Sequence, residues 1–69
     1  MSYKTTIVLA MPDKTTFETE LHTVDEGMEW EGFFVFGSII EEGKVLENKT
    51  FAFNKNFILQ MNVERLNDA

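Results

Sequence analysis

The sequence predicts an all-β fold, a single five-stranded antiparallel meander. Three observations carry that prediction. The segment from Thr15 to Val24 alternates strictly, with Thr15, Phe17, Thr19, Leu21 and Thr23 on one face and Thr16, Glu18, Glu20 and His22 on the other, the period-two pattern of a half-buried strand. The stretch from Trp30 to Val63 holds most of the aromatic residues in three apolar runs around Glu41-Glu42-Gly43-Lys44 and Asn54-Lys55-Asn56. Both tetrads and triads of this kind are turn signals. A third turn signal, Pro12-Asp13-Lys14, precedes the alternating segment, with Pro suited to the first corner of a turn and Asp to the second.

In chain order, Tyr3 to Met11 is rich in β-formers, and Ile7, Leu9 and Met11 share one face while Val8 and Ala10 share the other. Apolar residues on both faces predict a strand covered on both sides in its second half. With the alternating strand it forms a hairpin over 3–24. Residues 25–32 read as a crossing loop, or one helical turn over 25–31 capped by the Thr23/Glu26 pair; Gly27 and Gly32 oppose anything longer. Phe33 to Ile40 is apolar on both faces, as a central strand is, with a bulge or bend expected at Gly37. Gly43 is expected in the left-handed conformation of a hairpin loop. Val45-Leu46 and Thr50 to Phe53 flank a break near Asn48-Lys49. In the last segment Phe57, Leu59, Met61 and Val63 alternate with Ile58, Gln60, Asn62 and Glu64. A helix capped by Asn54 or Asn56 competes for this segment, and the alternation favours a strand. Residues 33–64 thus form a three-stranded meander, and 65–69 a frayed tail.

The chain has 69 residues, enough for one domain over 1–69 that buries only about 60% of its unfolded surface. A core of that size rarely supplies more than roughly 3–5 kcal/mol. There is no Cys, so neither a disulfide nor a thiolate zinc site reinforces it. Dense aromatic packing or self-association remains, and seven Phe residues permit both. Because the first and third strands are apolar on both faces, a flat sheet with one wet face fits poorly. A sheet curled into a small, partly open barrel of the SH3-like or Sm-like class fits better. In that arrangement Phe34, Phe36 and Ile58 point outward. Either the 25–31 loop, with Met28 and Trp30, folds over them or a partner chain covers them.

The net charge of −6, from 12 acidic and 6 basic residues, disfavours direct nucleic-acid binding. The apolar run Ile7 to Met11 is too short for a signal-peptide core or a membrane span. The expected location is the cytoplasm, with no membrane partner.

Little in the sequence points to catalysis. His22 is the sole histidine and Ser occurs only at Ser2 and Ser38, a thin supply for a nucleophile with its base. Glu18, Glu20 and His22 stand at metal-reaching intervals on one strand face, but such a ladder is the normal dress of a solvated face. No catalytic residue, metal or cofactor is expected. Two features have meaning for interaction. Trp30, Phe34, Phe36 and Ile58 are the contact candidates of a non-enzymatic protein-interaction module, acting through an aromatic strand surface or a free sheet edge, with a protein partner or by self-association. Asp25, Glu26, Glu29 and Glu31 form an acidic patch, which supports an alternative: a phage-like or mobile-element accessory protein that inhibits a nucleic-acid-binding enzyme by charge mimicry.

Overall fold

A computed structural model of the chain describes residues 1–67. The fold is all-β, as the sequence predicts, with eight strands in two antiparallel sheets. The strands are β1 (Ser2–Ala10), β2 (Thr16–Thr23), β3 (Met28–Trp30), β4 (Phe33–Phe36), β5 (Ile39–Glu41), β6 (Lys44–Leu46), β7 (Phe51–Asn54) and β8 (Ile58–Leu66). The larger sheet has the order β6-β5-β2-β1-β8 and the smaller β3-β4-β7. The sheets do not close into the expected barrel. The chain passes between the two sheets four times, after β2, β4, β6 and β7, and two of these passages cut segments that read as continuous in the sequence. The predicted central strand 33–40 breaks at Gly37-Ser38, where Ser38 adopts φ +48°, so β4 enters the small sheet and β5 the large one. The other is the break between β6 and β7, at Asn48-Lys49, where the sequence pattern falters.

The last strand pairs with β1 rather than with its predecessor in a meander. Met61 lies opposite Ile7 and Val63 opposite Thr5, while Leu21 faces Thr5 from the other side. β1 is thereby the interior strand between the two long neighbours β2 and β8, and its Ile7 and Leu9 face the core. Segment 58–66 is therefore strand throughout, with a 3-10 turn at Lys55–Phe57 capped by the Asn54 side chain, which accepts from the Asn56 N–H at 2.9 Å. Arg65 and Leu66 belong to β8 rather than to a frayed tail, and the last two residues of that predicted tail lie outside the described residues.

Alternation in β8 fails at one point. Val8 faces Gln60 but Leu9 faces Ile58, so Leu59 is an extra residue in a bulge. A bulge shifts side-chain parity by one. Ile58 consequently joins Met61 against the core, and Leu59 and Phe57 are exposed, the reverse of the sequence expectation that Ile58 points out.

Among the described residues the buried apolar core is Ile7, Leu21, Phe36 and Ile39, with Leu9, Phe34, Phe51, Phe53, Ile58 and Met61 packed against it. Phe36 meets Phe53 edge-on at 6.0 Å between ring centroids, and Phe51 stacks on Phe53 at 6.4 Å, both within the favourable range for aromatic pairs. Two lysines flank this layer. Lys49 lies 5.3 Å over the Phe51 ring and 2.6 Å from Glu41; Lys55 lies 5.7 Å over Phe34 and 2.6 Å from Glu29. Each ammonium sits over an aromatic face and beside a carboxylate, with the lysine side chain still partly exposed.

The hairpin turns follow from their residues. Met11 N–H bonds Thr15 O at 2.9 Å and Lys14 N–H bonds Met11 O at 3.0 Å, with Lys14 at φ +68°, a turn closed by one left-handed residue. Asp13 fixes it by accepting from the Thr15 hydroxyl and N–H. Those hydrogen bonds hold its carboxyl below the ordinary 3.8. The β5–β6 and β3–β4 hairpins use the same two-residue loop, Glu42-Gly43 and Glu31-Gly32, with φ of +51° and +76°, and +47° and +83°. Positive φ at both central residues is the mark of the type I′ turn. Asn tolerates that region far better than Glu. Glu42→Asn is therefore expected to stabilise the fold by about 0.5–1 kcal/mol, read as a higher urea midpoint at unchanged slope.

Candidate interaction surface

The surface that stands out is the outer face of the small sheet, and the register shows how it is built. Met28 faces Val35, which faces Ala52; Trp30 faces Phe33, which faces Asn54. Directly opposed residues point to the same side of a sheet, so these form two adjacent rows across all three strands. Five of the six side chains are apolar. The intervening positions Glu29, Phe34 and Phe53 project to the other side, and Phe34 and Phe53 pack on the core. Trp30 is 61% exposed, Met28 66% and Phe33 38%. Together they present an apolar platform on the order of 300 Å², the size of the largest such patch on an ordinary monomer and commonly a functional one.

This arrangement sorts the predicted contact residues. Trp30 lies on the platform. Phe36 is 1% exposed and forms the centre of the core, and Phe34 and Ile58 are half-buried against it; these three do not share an outward face. The parity is the reverse of the expectation, so the odd residues Phe33 and Val35 face out. Residues 25–31 contain neither a helical turn nor a flap over the sheet: Met28–Trp30 extends the sheet sideways as β3. Met28 and Phe33 are the surface residues that sequence reasoning missed. The signal for them was the Glu31-Gly32 pair, which repeats the Glu42-Gly43 turn and makes Trp30 and Phe33 cross-strand neighbours.

The acidic group is also divided. Glu29 projects away from the platform and is paired with Lys55. Asp25, Glu26 and Glu31 are exposed, and among the described residues no ion pair engages their carboxylates. Glu31 sits at the turn beside Trp30 and Phe33; Asp25 and Glu26 lead into β3. Glu31 thus borders the platform, whereas Glu26 lines the groove on the core side of β4 with Gly27, Phe34, Phe36, Met61 and Val63.

Elsewhere, the outer face of β2 is a polar ladder: Glu20 lies 3.3 Å from His22 and 3.5 Å from Lys4. Among the described residues no group of three or more His, Asp or Glu side chains is placed to hold a metal ion, and no helix is long and apolar enough to cross a membrane. The open flanks of the two sheets form grooves. One of about 310 Å³ runs between Phe17, Leu21 and Ile39 and the β7 residues Phe51 and Phe53; the other, of about 370 Å³, lies between Gly27, Phe34 and Phe36 and the β8 residues Met61 and Val63. No known family model matches the sequence, and comparisons with characterised proteins and with solved structures returned no match.

Proposed function

We propose that the protein is a non-enzymatic interaction module of the cytoplasm, and that it binds a partner protein through the outer face of the β3-β4-β7 sheet. The observation that carries this reading is the exposure of Trp30, Met28 and Phe33 in adjacent rows of one sheet face. Burying such side chains releases free energy at about 25 cal/mol per Å², and Trp is prominent among residues that dominate interfaces. The carboxylates that flank β3 in sequence, Asp25 and Glu26 before it and Glu31 after it beside Trp30 and Phe33, select the chemistry of the occupant: a surface with aliphatic side chains bordered by Lys or Arg. Attraction to these charges speeds association and weakens as salt screens it. The half-engaged acidic group also fits the second reading, an accessory protein that occupies the basic groove of a nucleic-acid-binding enzyme; there the same three carboxylates lie against the groove with Trp30 as anchor.

The test is affinity capture from cells with partners identified by mass spectrometry, comparing wild type, Trp30→Ala, and Glu18→Gln on the polar face of the large sheet. The expected result is a basic partner whose affinity falls roughly tenfold or more for Trp30→Ala, stays level for Glu18→Gln, and declines with added salt. Equal retention by Trp30→Ala and wild type overturns the reading. A partner that is a nucleic-acid-binding enzyme, inhibited by wild type and spared by charge removal at Asp25, Glu26 and Glu31, selects the second.

A further inference from the structure

We propose that β8 pairs edge to edge with β8 of a second copy, antiparallel about a two-fold axis, joining the two large sheets into one of ten strands. This surface is separate from the outer face of the small sheet, and the proposal stands without the partner reading above.

Three observations point to β8, and a fourth, taken over the whole molecule, fits self-association. First, β8 is a nine-residue strand at the end of the large sheet, with no strand on its outer side among the described residues. A free edge of that length offers a row of unpaired backbone donors and acceptors, which natural sheets normally shorten, cover or charge. Second, β8 carries one acid and one base, Glu64 and Arg65, within a chain of net charge −6. It is a neutral edge on an acidic molecule, so it has no charge with which to steer toward a basic or an acidic stranger, and two copies meet there without local repulsion.

Third, the edge is self-complementary in one register. The Leu59 bulge bends the start of the strand and leaves Gln60–Leu66 as the flatter part. Centring the two-fold on Asn62 sets Met61 opposite the second copy's Val63 on the core side. On the solvent side it sets Gln60 opposite the second copy's Glu64, and Asn62 opposite its equivalent. Apolar meets apolar and amide meets carboxylate or amide, as cross-strand pairing favours. Antiparallel pairing keeps the two core-side faces on the same side of the joined sheet. Val63, 52% exposed on that side, is then covered, and with it the mouth of the groove that Met61 and Val63 line with Glu26, Gly27, Phe34 and Phe36.

Fourth, the exposed area is large for the mass. The chain exposes 5200 Å² at 8.0 kDa, against about 4450 Å² expected of a compact monomer of that mass. The excess, on the order of 750 Å², exceeds the platform on the small sheet and approaches the roughly 800 Å² that each partner contributes to a specific interface.

The experiment combines sedimentation velocity with amide hydrogen exchange on the whole chain, from low micromolar to several hundred micromolar. Wild type is expected to shift with concentration from monomer to twice the 8.0 kDa mass. Added salt strengthens the association, because it screens the repulsion between two acidic copies; this is opposite to its effect on a basic partner. Alternate β8 amides, those pointing away from β1, become protected only at high concentration. Val63→Lys, a charge placed on the edge, weakens the dimer about tenfold or more, and Trp30→Ala leaves it unchanged. A chain that stays monomeric throughout overturns the proposal. So does a dimer whose β8 amides exchange alike at both concentrations, a reading that needs no variant and holds even if Val63→Lys fails to fold.

Discussion

Replacing Phe36 with alanine is expected to cost about 3–5 kcal/mol and to leave the chain largely unfolded at 25 °C. The ring is 1% exposed. It touches Phe53 edge-on, lies against Gly27 and joins the small sheet to Ile7, Leu21 and Ile39 of the large one. Truncation removes the apolar transfer free energy and leaves a cavity where the two sheets meet, and the neighbours cannot close it without breaking strand register. Since a domain of this length rarely holds more than roughly 3–5 kcal/mol in total, the loss is comparable to everything available. Phe33→Ala supplies the contrast. Phe33 is adjacent to β4's core-facing residues in sequence but points to the platform, so its loss is expected to cost about 1 kcal/mol or less while weakening partner binding. Urea titrations of both variants by circular dichroism give the answer. If Phe33→Ala proves as damaging as Phe36→Ala, the facing of β4 described here is wrong, and with it the platform.

That pair of neighbours also shows where sequence reasoning worked and where it stopped. The all-β class was legible, because Thr15 to Val24 alternates with period two and turns at Pro12-Asp13, Glu42-Gly43 and Asn54 carry their own chemistry; β3, three residues inside an acidic stretch, and the division of 33–40 into β4 and β5 were not. Facing was not legible in β4, because Phe33-Phe34-Val35-Phe36 is apolar at every position and alternation has nothing to report. Parity in β8 was misread for a different reason. The Leu59 bulge depends on how β8 meets β1, a contact between residues about fifty positions apart, and no local pattern encodes it. The same holds for the failure to close a barrel. The left-handed Ser38 redirects the chain between sheets, yet Ser38 looks like any small polar residue after a glycine. As for the candidate surface, Trp30 could be picked out by residue type, whereas Met28 and Phe33 become visible only when Glu31-Gly32 is read as a turn. The acidic stretch was legible as charge but not as geometry, because the Glu29–Lys55 pair joins positions 26 residues apart.

Gly27→Ala is expected to destabilise the fold by about 2–3 kcal/mol, against the usual sign of such a change. Gly27 does not have a positive φ. At such a position Ala ordinarily stabilises by about 0.4–1 kcal/mol, because it restricts the unfolded chain. Here the added methyl would overlap the Phe36 ring, and moving that ring costs its edge-on contact with Phe53 and its packing against the large sheet. The steric cost exceeds the entropic gain. Gly37 is the control: a methyl there meets nothing within 4 Å and its φ is not positive, so Gly37→Ala is expected to be neutral or slightly stabilising. A double-mutant cycle then isolates the contact. If the overlap with Phe36 is the cause, Phe36→Leu, which removes the overlapping ring atoms, makes Gly27→Ala much less costly than it is in wild type, a coupling of about 1 kcal/mol or more. Strict additivity between positions 27 and 36 would place the cost of Gly27→Ala in the backbone of the 25–27 segment instead, and would remove the reason that β3 is held where Met28 and Trp30 can form the platform.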